Sequence, residues 1–402
     1  MKSTAFTRPL RRITGWRYFG LLLLAVINLA LHLSIIQQPN DLMVDEVYYV
    51  NDARAVVAGE GELRPEHPPL GQLIIAAGIR VFGDKPIGWR LFPVLFGVLG
   101  IVCFHLMCER LGLPRGASLV ASFLFAFENL SFVQSSIAML DVFSVTFMLA
   151  GFWLYLRRNP VPAAAMFALS MLAKLTGVVG LLVVVLYWLL AQRERPVRFF
   201  VSLSVAPLLF VLLLPVLDYV LTGEMYNPVG RVQEILNVSR SITFTDYANL
   251  YASRPWEWVL RPVVMPYYWD PQYVAVVSFS VGALIIPAMV WMVVCAKRGA
   301  LVGFFSVSWF SFAYLAWIPL SLLTNRMSYI FYFYPAVGAV CLGLAWGLWT
   351  LVARARREET VGRRRLLVGL AAFYLAFHAA VLVLLTPLFS FWASLQMAVP
   401  PA

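Results

Sequence analysis

Long apolar runs alternate with short polar segments along almost the whole chain. A membrane-spanning helix needs about 20 predominantly apolar residues, and eleven runs approach that length. They lie at 17–36, 89–108, 116–133, 139–156, 161–174, 177–191, 198–221, 272–296, 300–323, 329–352 and 366–389. This pattern predicts an all-α integral membrane protein with about eleven transmembrane helices. The fifth and sixth runs are short and meet at a tight turn, Lys174–Gly177.

The polar segments between the runs predict the domain organisation. No internal repeat and no soluble domain is visible, so residues 1–402 are expected to form one transmembrane domain. An amphipathic helix over Val44–Val57 is predicted in the first external segment, because Asp45 and Glu46 at its start favour the positive end of a helix. The longest polar segments are the first external loop (37–88), the second external loop (222–271) and a basic cytoplasmic loop (353–365).

Composition supports a lipid environment. The 402 residues are 61% hydrophobic and 13% charged, against about 45–50% and about 25% in soluble domains. The four cysteines, Cys103, Cys108, Cys295 and Cys341, all lie in apolar runs without metal-type spacing, so they indicate neither a disulfide framework nor a compartment. The first apolar run lacks a convincing cleavage site and is expected to be a retained span.

The distribution of charge predicts the orientation. The net charge of +11 arises from short basic clusters between apolar runs, which favours anionic lipid headgroups over nucleic acid as the partner. With the N-terminus in the cytoplasm, the inner segments and Arg17 hold 20 of 31 Lys and Arg residues but only 4 of 20 Asp and Glu residues. The inner side then carries +16 and the outer side −5, in agreement with the positive-inside rule.

Nine titratable residues lie on the predicted outer side, near the ends of different spans or in the first loop. Charges at a membrane boundary are functional candidates, since burying them is costly. A carboxylate can take a proton from an acceptor, and cations can hold a departing phosphate. This mixture predicts transfer of an activated sugar at the external face. The nine are Asp45, Glu46, Glu66, His67, Lys85, Arg90, Asp141, Lys174 and Arg326.

Other interpretations of these residues are open at this point. Arg90 and Lys174 could extend to lipid headgroups, and Asp141 could cap a helix. The Asp45–Glu46 pair could also be an ordinary helix start, a less favoured interpretation, and His67 could belong to a rigid turn before two prolines. Four carboxylates could also bind a divalent ion, although there is no Asp-x-Asp pair: Asp45, Glu46, Glu66 and Asp141.

An ordered set of motifs between about residues 41 and 345 resembles the protein O-mannosyltransferases, which are glycosyltransferases of the GT-C class. The first three are Asp45-Glu46-Val47-Tyr48-Tyr49, His67-Pro68-Pro69-Leu70-Gly71 and Gly88-Trp89-Arg90-Leu91. The next two are Ser135-Ser136-Ile137-Ala138-Met139-Leu140-Asp141 and Ala173-Lys174-Leu175-Thr176-Gly177. The last are Ser253-Arg254-Pro255-Trp256-Glu257-Trp258 and Asn325-Arg326-Met327, the latter followed by Tyr329, Tyr332 and Tyr334.

The resemblance implies a GT-C fold and an inverting, metal-independent transfer from a polyprenyl-phosphate-linked sugar. It implies that Asp45 is the catalytic base and that Glu46 orients the base or the acceptor. Donor-phosphate contacts are implied for Arg90, Lys174, Arg326 and His67, with Asp141 and Glu66 in supporting positions. The expected enzyme is a multi-pass protein of the cell membrane whose active site faces outwards and which requires no cofactor beyond its lipid-linked donor.

The chain departs from the family pattern in three places. Gln72 and Ser136 stand where the family commonly has Lys and Arg, and the large soluble domain of the eukaryotic enzymes has only about fifty residues in its place. These departures favour a prokaryotic-type enzyme. They leave open whether the acceptor is a protein or, as in the similar lipid A aminoarabinose transferases, a lipid or cell-wall glycan. A transporter is a remote alternative, because no repeat is visible and the charges gather at one face.

Overall fold

The computed structural model describes residues 17–61, 64, 66–191, 195–245 and 249–388. These residues are almost entirely helical, as predicted, apart from one antiparallel hairpin whose two short strands were not predicted. The first nine helices are α1 (Phe19–Ile35), α2 (Glu46–Ala58), α3 (Leu70–Phe82), α4 (Pro86–Arg110), α5 (Arg115–Ala126), α6 (Asn129–Ser136), α7 (Leu140–Leu156), α8 (Pro160–Ala173) and α9 (Val179–Ala191).

The second half of the described chain contains the hairpin between two groups of helices. Short 3-10 turns cover Leu175–Val178 and Ile330–Phe333, and a π-helical turn covers Ser311–Leu315. The remaining elements are α10 (Pro196–Thr222), α11 (Pro228–Ser241), α12 (Glu257–Leu260), β1 (Met265–Tyr268), β2 (Tyr273–Ala275), α13 (Phe279–Gly282), α14 (Ile285–Lys297), α15 (Leu301–Phe310), α16 (Trp317–Thr324), α17 (Tyr334–Arg356) and α18 (Val361–Leu385).

Several helical segments are long and apolar enough to cross a membrane. Among the described residues there are five: Pro86–Arg110, Pro196–Thr222, Leu301–Thr324, Ile330–Arg356 and Val361–Leu385. The pair α5–α6 is a sixth if it counts as one span, although it bends by 60°. Further apolar helices have 10–17 residues. The chain is thus a multi-pass membrane protein, and the number of eleven spans stays a prediction.

Three predicted segments differ in detail. The run 116–133 is broken after Ala126, where α5 ends. Glu128 then caps the start of α6, accepting the backbone N–H of Ser131 at 2.9 Å. The run 272–296 begins in β2, and two separate helices follow. The basic segment 353–365 is mostly helical, because arginine favours helices, and only residues 357–360 connect α17 to α18.

The first external segment holds two helices where one was predicted. The predicted helix Val44–Val57 is α2, which begins and ends within two residues of the expected bounds. The second helix, α3, approaches two other elements closely at Gly71. A Cβ at Gly71 would lie 2.6 Å from Leu140 at the start of α7 and 3.2 Å from the carbonyl oxygen of Ala173 at the end of α8. Only glycine fits this approach without displacement of a neighbour.

Helix α7 packs against both α4 and α8. Asp141 lies in the first turn of α7, Arg90 lies near the start of α4, and Lys174 directly follows α8. Because these helices run antiparallel to their neighbours in sequence, the three charged residues come to the same end of the bundle. The first external segment, with α2 and α3, covers that end.

Candidate active site

Asp45 is the residue directly before α2. Its side chain makes no capping hydrogen bond, and no hydrogen bond or ion pair to its carboxylate is found in the described part of the chain. Burial raises the pKa of Asp45 to about 6; Lys174 opposes this shift, while Asp141 and Glu66 add to it. The carboxylate is thus free to accept a proton, and its pKa is close to a neutral working range.

The backbone before Asp45 is strained. Val44 has a φ of 44°, a conformation that is a genuine outlier for a β-branched residue. Such strain costs about 1–3 kcal/mol and persists only when the surrounding structure enforces it. Here the enforcing contacts come from the residues on both sides, since the N–H of Met43 donates to the Glu46 carboxylate at 3.1 Å.

Glu46 is fully buried beside Arg90. The Arg90 guanidinium donates from Nε and Nη2 to the two Glu46 carboxylate oxygens at 3.0 and 2.8 Å, and neither side chain is exposed. The same carboxylate accepts the backbone N–H of Ala138 at 2.7 Å. Glu46 therefore joins the start of α2 to α4 and to the segment that leads into Asp141.

Arg90 does not have the arrangement expected of a donor-phosphate ligand. Besides Glu46, its guanidinium donates to the carbonyl oxygens of Ile36, Pro39 and Asp41 at 3.4, 2.8 and 2.7 Å. All five N–H groups are therefore used inside the protein. These contacts tie Arg90 to residues 36–46, and its role in binding the donor phosphate stays a prediction.

Lys174 and Asp141 form a second buried ion pair. Lys174 Nζ lies 2.7 and 2.9 Å from the two carboxylate oxygens of Asp141, and both side chains are almost fully buried. Lys174 Nζ also lies 5.7 and 5.6 Å from the ring centroids of Phe331 and Tyr332. Asp141 thus fixes the cation at the edge of a group of aromatic rings.

A cleft opens at this ion pair. Its wall is mostly apolar, and Asp141 and Lys174 are its charged members. Tyr332 and Trp317 stack within it, with ring centroids 4.9 Å apart. The lining residues are Asp141, Lys174, Thr176, Val179, Ala313, Trp317, Tyr332 and Pro335.

Arg326 approaches the same aromatic group from another element. Its guanidinium carbon lies 6.0 Å from the centroid of the Tyr332 ring. The Arg326 side chain is partly exposed and has no hydrogen bond or ion pair to any described residue. Lys174 and Arg326 therefore both flank Tyr332, and Arg326 still has all its donors available.

His67 lies close to these cations but is not itself one. Its Nε2 is 3.2 Å from the hydroxyl oxygen of Tyr49. Burial lowers the pKa of His67 to about 3, and the positive charges of Lys174, Arg326 and Arg231 contribute. A neutral imidazole can donate one hydrogen bond, and the contact of His67 with the donor phosphate stays a prediction.

Glu66 is partly exposed, and its charge raises the pKa of both Asp45 and Asp52. Asp52 was not singled out in the sequence. Burial raises its pKa to about 6, and its carboxylate accepts a hydrogen bond from Gln72 at 3.2 Å. Gln72 thus connects α3 to α2 at the position where the family commonly has Lys.

The sequence alone assigns no role to three further residues of the site. Tyr49 lies one turn after Asp45 on α2, and helical spacing alone could have placed it on the same face. Tyr267, in the unpredicted hairpin, accepts a hydrogen bond from Gln134 at 2.6 Å and lies in the electrostatic field of Asp45. Arg231 donates to the His67 carbonyl oxygen at 3.4 Å. Nothing in the sequence indicates these last two long-range contacts.

Among the described residues, no group of three or more His, Cys, Asp or Glu side chains could hold a metal ion. Two of the four carboxylates considered as metal ligands are already paired with cations: Glu46 binds Arg90, and Asp141 binds Lys174. Metal independence itself stays a prediction, to be tested by chelation.

Comparison with known proteins agrees with the motifs. Residues 66–219 match the family model for dolichyl-phosphate-mannose-protein mannosyltransferases. The resemblance predicted from the motifs is confirmed. Over 151 residues the chain is 32% identical to the polyprenol-phosphate-mannose–protein mannosyltransferase of Mycobacterium tuberculosis. That match covers 36% of this chain and 29% of the relative, so the chain spans less than a third of the relative's length.

Two solved structures show the fold. The S. cerevisiae protein O-mannosyltransferase Pmt1–Pmt2 complex bound to the sugar donor matches with a TM-score of 0.74 at 10% identity, covering 91% of this chain and 89% of the other. ArnT from Cupriavidus metallidurans in the apo state matches with a TM-score of 0.57 at 17% identity, covering 95% and 75%. The predicted GT-C fold is confirmed by these likenesses.

Proposed function

We propose that this chain is an inverting glycosyltransferase that transfers mannose from a polyprenyl phosphate to Ser or Thr hydroxyls of proteins. One observation carries the proposal above all: the unpaired Asp45 carboxylate lies in the electrostatic field of a buried Lys174–Asp141 pair. A base and a cation are thus close enough to influence each other electrostatically, as a reaction at one anomeric carbon requires. The family match and the shared fold support the same reaction class.

In the proposed reaction Asp45 accepts the proton of the acceptor hydroxyl as its oxygen attacks the anomeric carbon. The bond from that carbon to the phosphate oxygen breaks, and the phosphate leaves with the electron pair. Lys174 and Arg326 stabilise the negative charge that grows on the phosphate. No covalent sugar–enzyme intermediate is needed, and the configuration at the anomeric carbon inverts.

The cleft beside Lys174 is the proposed site of the lipid-linked donor. A polyprenyl chain would lie along the apolar wall that includes Val179 and Trp317, with its phosphate at the polar end. Lys174 acts there as a point charge that is already fixed by Asp141. Arg326 supplies the directional donors that suit a phosphate.

The orientation is part of the proposal. The excess of basic residues on one predicted side of the membrane supports an N-terminus in the cytoplasm. Asp45, Lys174 and Arg326 then lie at the external ends of their elements, and transfer takes place on the external face of the cell membrane.

The proposal is tested by incubating purified protein in lipid nanodiscs with radiolabelled polyprenyl-phosphomannose, a Ser/Thr-rich peptide and membrane lipids. Label in the peptide is the expected result. Label in the lipid or glycan fraction would keep the chemistry and replace the acceptor with the alternative considered from the sequence. No transfer to any fraction, with intact donor recovered, would contradict the proposed function.

A further inference from the structure

We propose that Arg254 is a positioning residue for Arg326 and acts through Asn325. This inference rests on the proposed function only for its consequence in catalysis. The contacts that carry it do not depend on the proposed function. They lie in the second loop, beside the segment Pro255-Trp256-Glu257-Trp258, which has no role so far. In them, that loop holds residues 325–328.

The second loop pairs with the segment that carries Arg326. Thr243 and Arg326 form an isolated antiparallel bridge, and the N–H of Met327 donates to the carbonyl oxygen of Ile242 at 3.0 Å. On the other side of the segment, Ser253 and Ser328 bind each other reciprocally. The Ser253 N–H donates to the Ser328 carbonyl oxygen at 2.9 Å, and the Ser328 hydroxyl donates to the Ser253 carbonyl oxygen at 2.7 Å.

Arg254 fixes the residue directly before Arg326. Its Nη2 donates to the side-chain oxygen of Asn325 at 2.6 Å, and its Nη1 donates to the hydroxyl of Ser321 at 3.2 Å. The guanidinium carbon also lies 3.9 Å from the centroid of the Phe244 ring. Two hydrogen bonds and this ring contact hold the guanidinium beside Asn325.

Asn325 sets the direction in which Arg326 leaves α16. It has a φ of 50° and ends the helix in the left-handed conformation. Asparagine tolerates this conformation better than most residues, although the conformation is still unfavourable. The contact with Arg254 and a second one, from the Asn325 side-chain amide to Thr245 at 2.6 Å, stabilise it. Without Arg254 the backbone at Asn325 is freer, and Arg326 loses its fixed approach to Tyr332.

The structural half of the inference is tested by a nitroxide label attached to an Arg326→Cys variant. The four native cysteines are buried and leave the introduced thiol as the reactive one among the described residues. The probe is electron paramagnetic resonance in nanodiscs, without any substrate. Arg254→Ala is expected to raise the mobility of the label. Asn325→Gly, which keeps the positive φ but removes the amide, should do the same.

Arg261→Ala is the matched control, because Arg261 lies in the same loop and, among the described residues, its guanidinium bonds to Glu257 alone on the exposed surface. It should leave the label unchanged. Equal mobility in the Arg254→Ala and parent proteins would overturn the inference, whether or not the protein transfers sugar.

The catalytic half is a double-mutant comparison of donor KM. Arg254→Ala alone should raise the KM for polyprenyl-phosphomannose about tenfold, with kcat much less affected, because it loses the fixed approach of one charged donor. In the Arg326→Ala background the same change should have no further effect. If Arg254→Ala raises the KM by the same factor in both backgrounds, Arg254 does not act through Arg326, and the inference is overturned. Failure of every variant and of the parent to transfer sugar would instead count against the proposed function.

Discussion

Arg90 and Glu46 form a fully buried, bidentate ion pair that joins the first external loop to the membrane-embedded helices. Glu46 directly follows Asp45 in sequence, and its carboxylate accepts the backbone N–H of Ala138, three residues before Asp141. One structural pair thus fixes the proposed base and the carboxylate that holds the proposed phosphate-binding lysine. Its role is to place charges, and it has none of the free donors that a substrate contact would need.

This relationship predicts a large loss of stability when one partner is removed. Arg90→Ala leaves the Glu46 carboxylate buried without a counter-ion, and such a change costs about 3–5 kcal/mol. We expect a clear fall in the thermal unfolding midpoint in detergent. Arg54→Ala is the matched control, since Arg54 binds Asp84 on the exposed surface, where a pair contributes about 0–1 kcal/mol. An unchanged midpoint in Arg90→Ala would contradict the structural role.

Arg326 is predicted to contribute to donor binding without a role in folding. Its side chain has no hydrogen bond to any described residue, so Arg326→Ala leaves no partner unsatisfied. We expect at least a tenfold weaker affinity for polyprenyl phosphate and an unchanged unfolding midpoint, as for loss of one charge-assisted hydrogen bond. Isothermal titration calorimetry in nanodiscs measures the affinity, and thermal unfolding measures the midpoint. Lys85→Ala, which removes an exposed cation from the first polar loop, should bind the donor normally. If Arg326→Ala and Lys85→Ala weaken donor binding equally, the effect is a nonspecific effect of charge.

The pH dependence of transfer should report the Asp45 carboxylate. Burial raises its pKa to about 6, and a general base must be deprotonated to act. The rate should therefore be constant above pH 7 and fall about tenfold per unit below pH 6. His67 does not add an inflection, because its pKa of about 3 keeps it neutral over this range.

Asp52 is the control for this profile, since its pKa is also about 6. Asp52→Asn should keep the inflection near pH 6. If the inflection disappears in Asp52→Asn, the titrating group is Asp52 and the assignment to Asp45 is wrong.

The sequence was informative wherever a feature depends on local pattern. Apolar runs predicted the helices, and the acidic start of α2 predicted its position to within two residues. The ordered motifs indicated the resemblance to the protein O-mannosyltransferases. Asp141 and Lys174 were singled out because they lie at the ends of apolar runs, and Asp45 because it lies at the start of a predicted helix in the first polar loop.

The sequence could not show the partners that the fold brings together. Glu46 and three carbonyl groups surround Arg90, and all of them come from a part of the chain distant from it. The positive neighbours of His67 are likewise distant in sequence, at residues 174, 231 and 326. The strands β1 and β2 and the contact of Tyr267 with Gln134 also depend on long-range packing. No local periodicity could have revealed them.

The most direct test of the account compares single-turnover sugar transfer by Asp45→Asn and Asp41→Asn. Asp41 lies in the same loop, and within the described part of the chain its exposed carboxylate accepts a single hydrogen bond, from the N–H of Leu42. The account predicts that Asp45→Asn lowers the rate at least about a hundredfold, with donor binding and the unfolding midpoint unchanged. Asp41→Asn should transfer sugar at the parent rate. A near-normal rate in Asp45→Asn would show that Asp45 is not the base and would contradict the account.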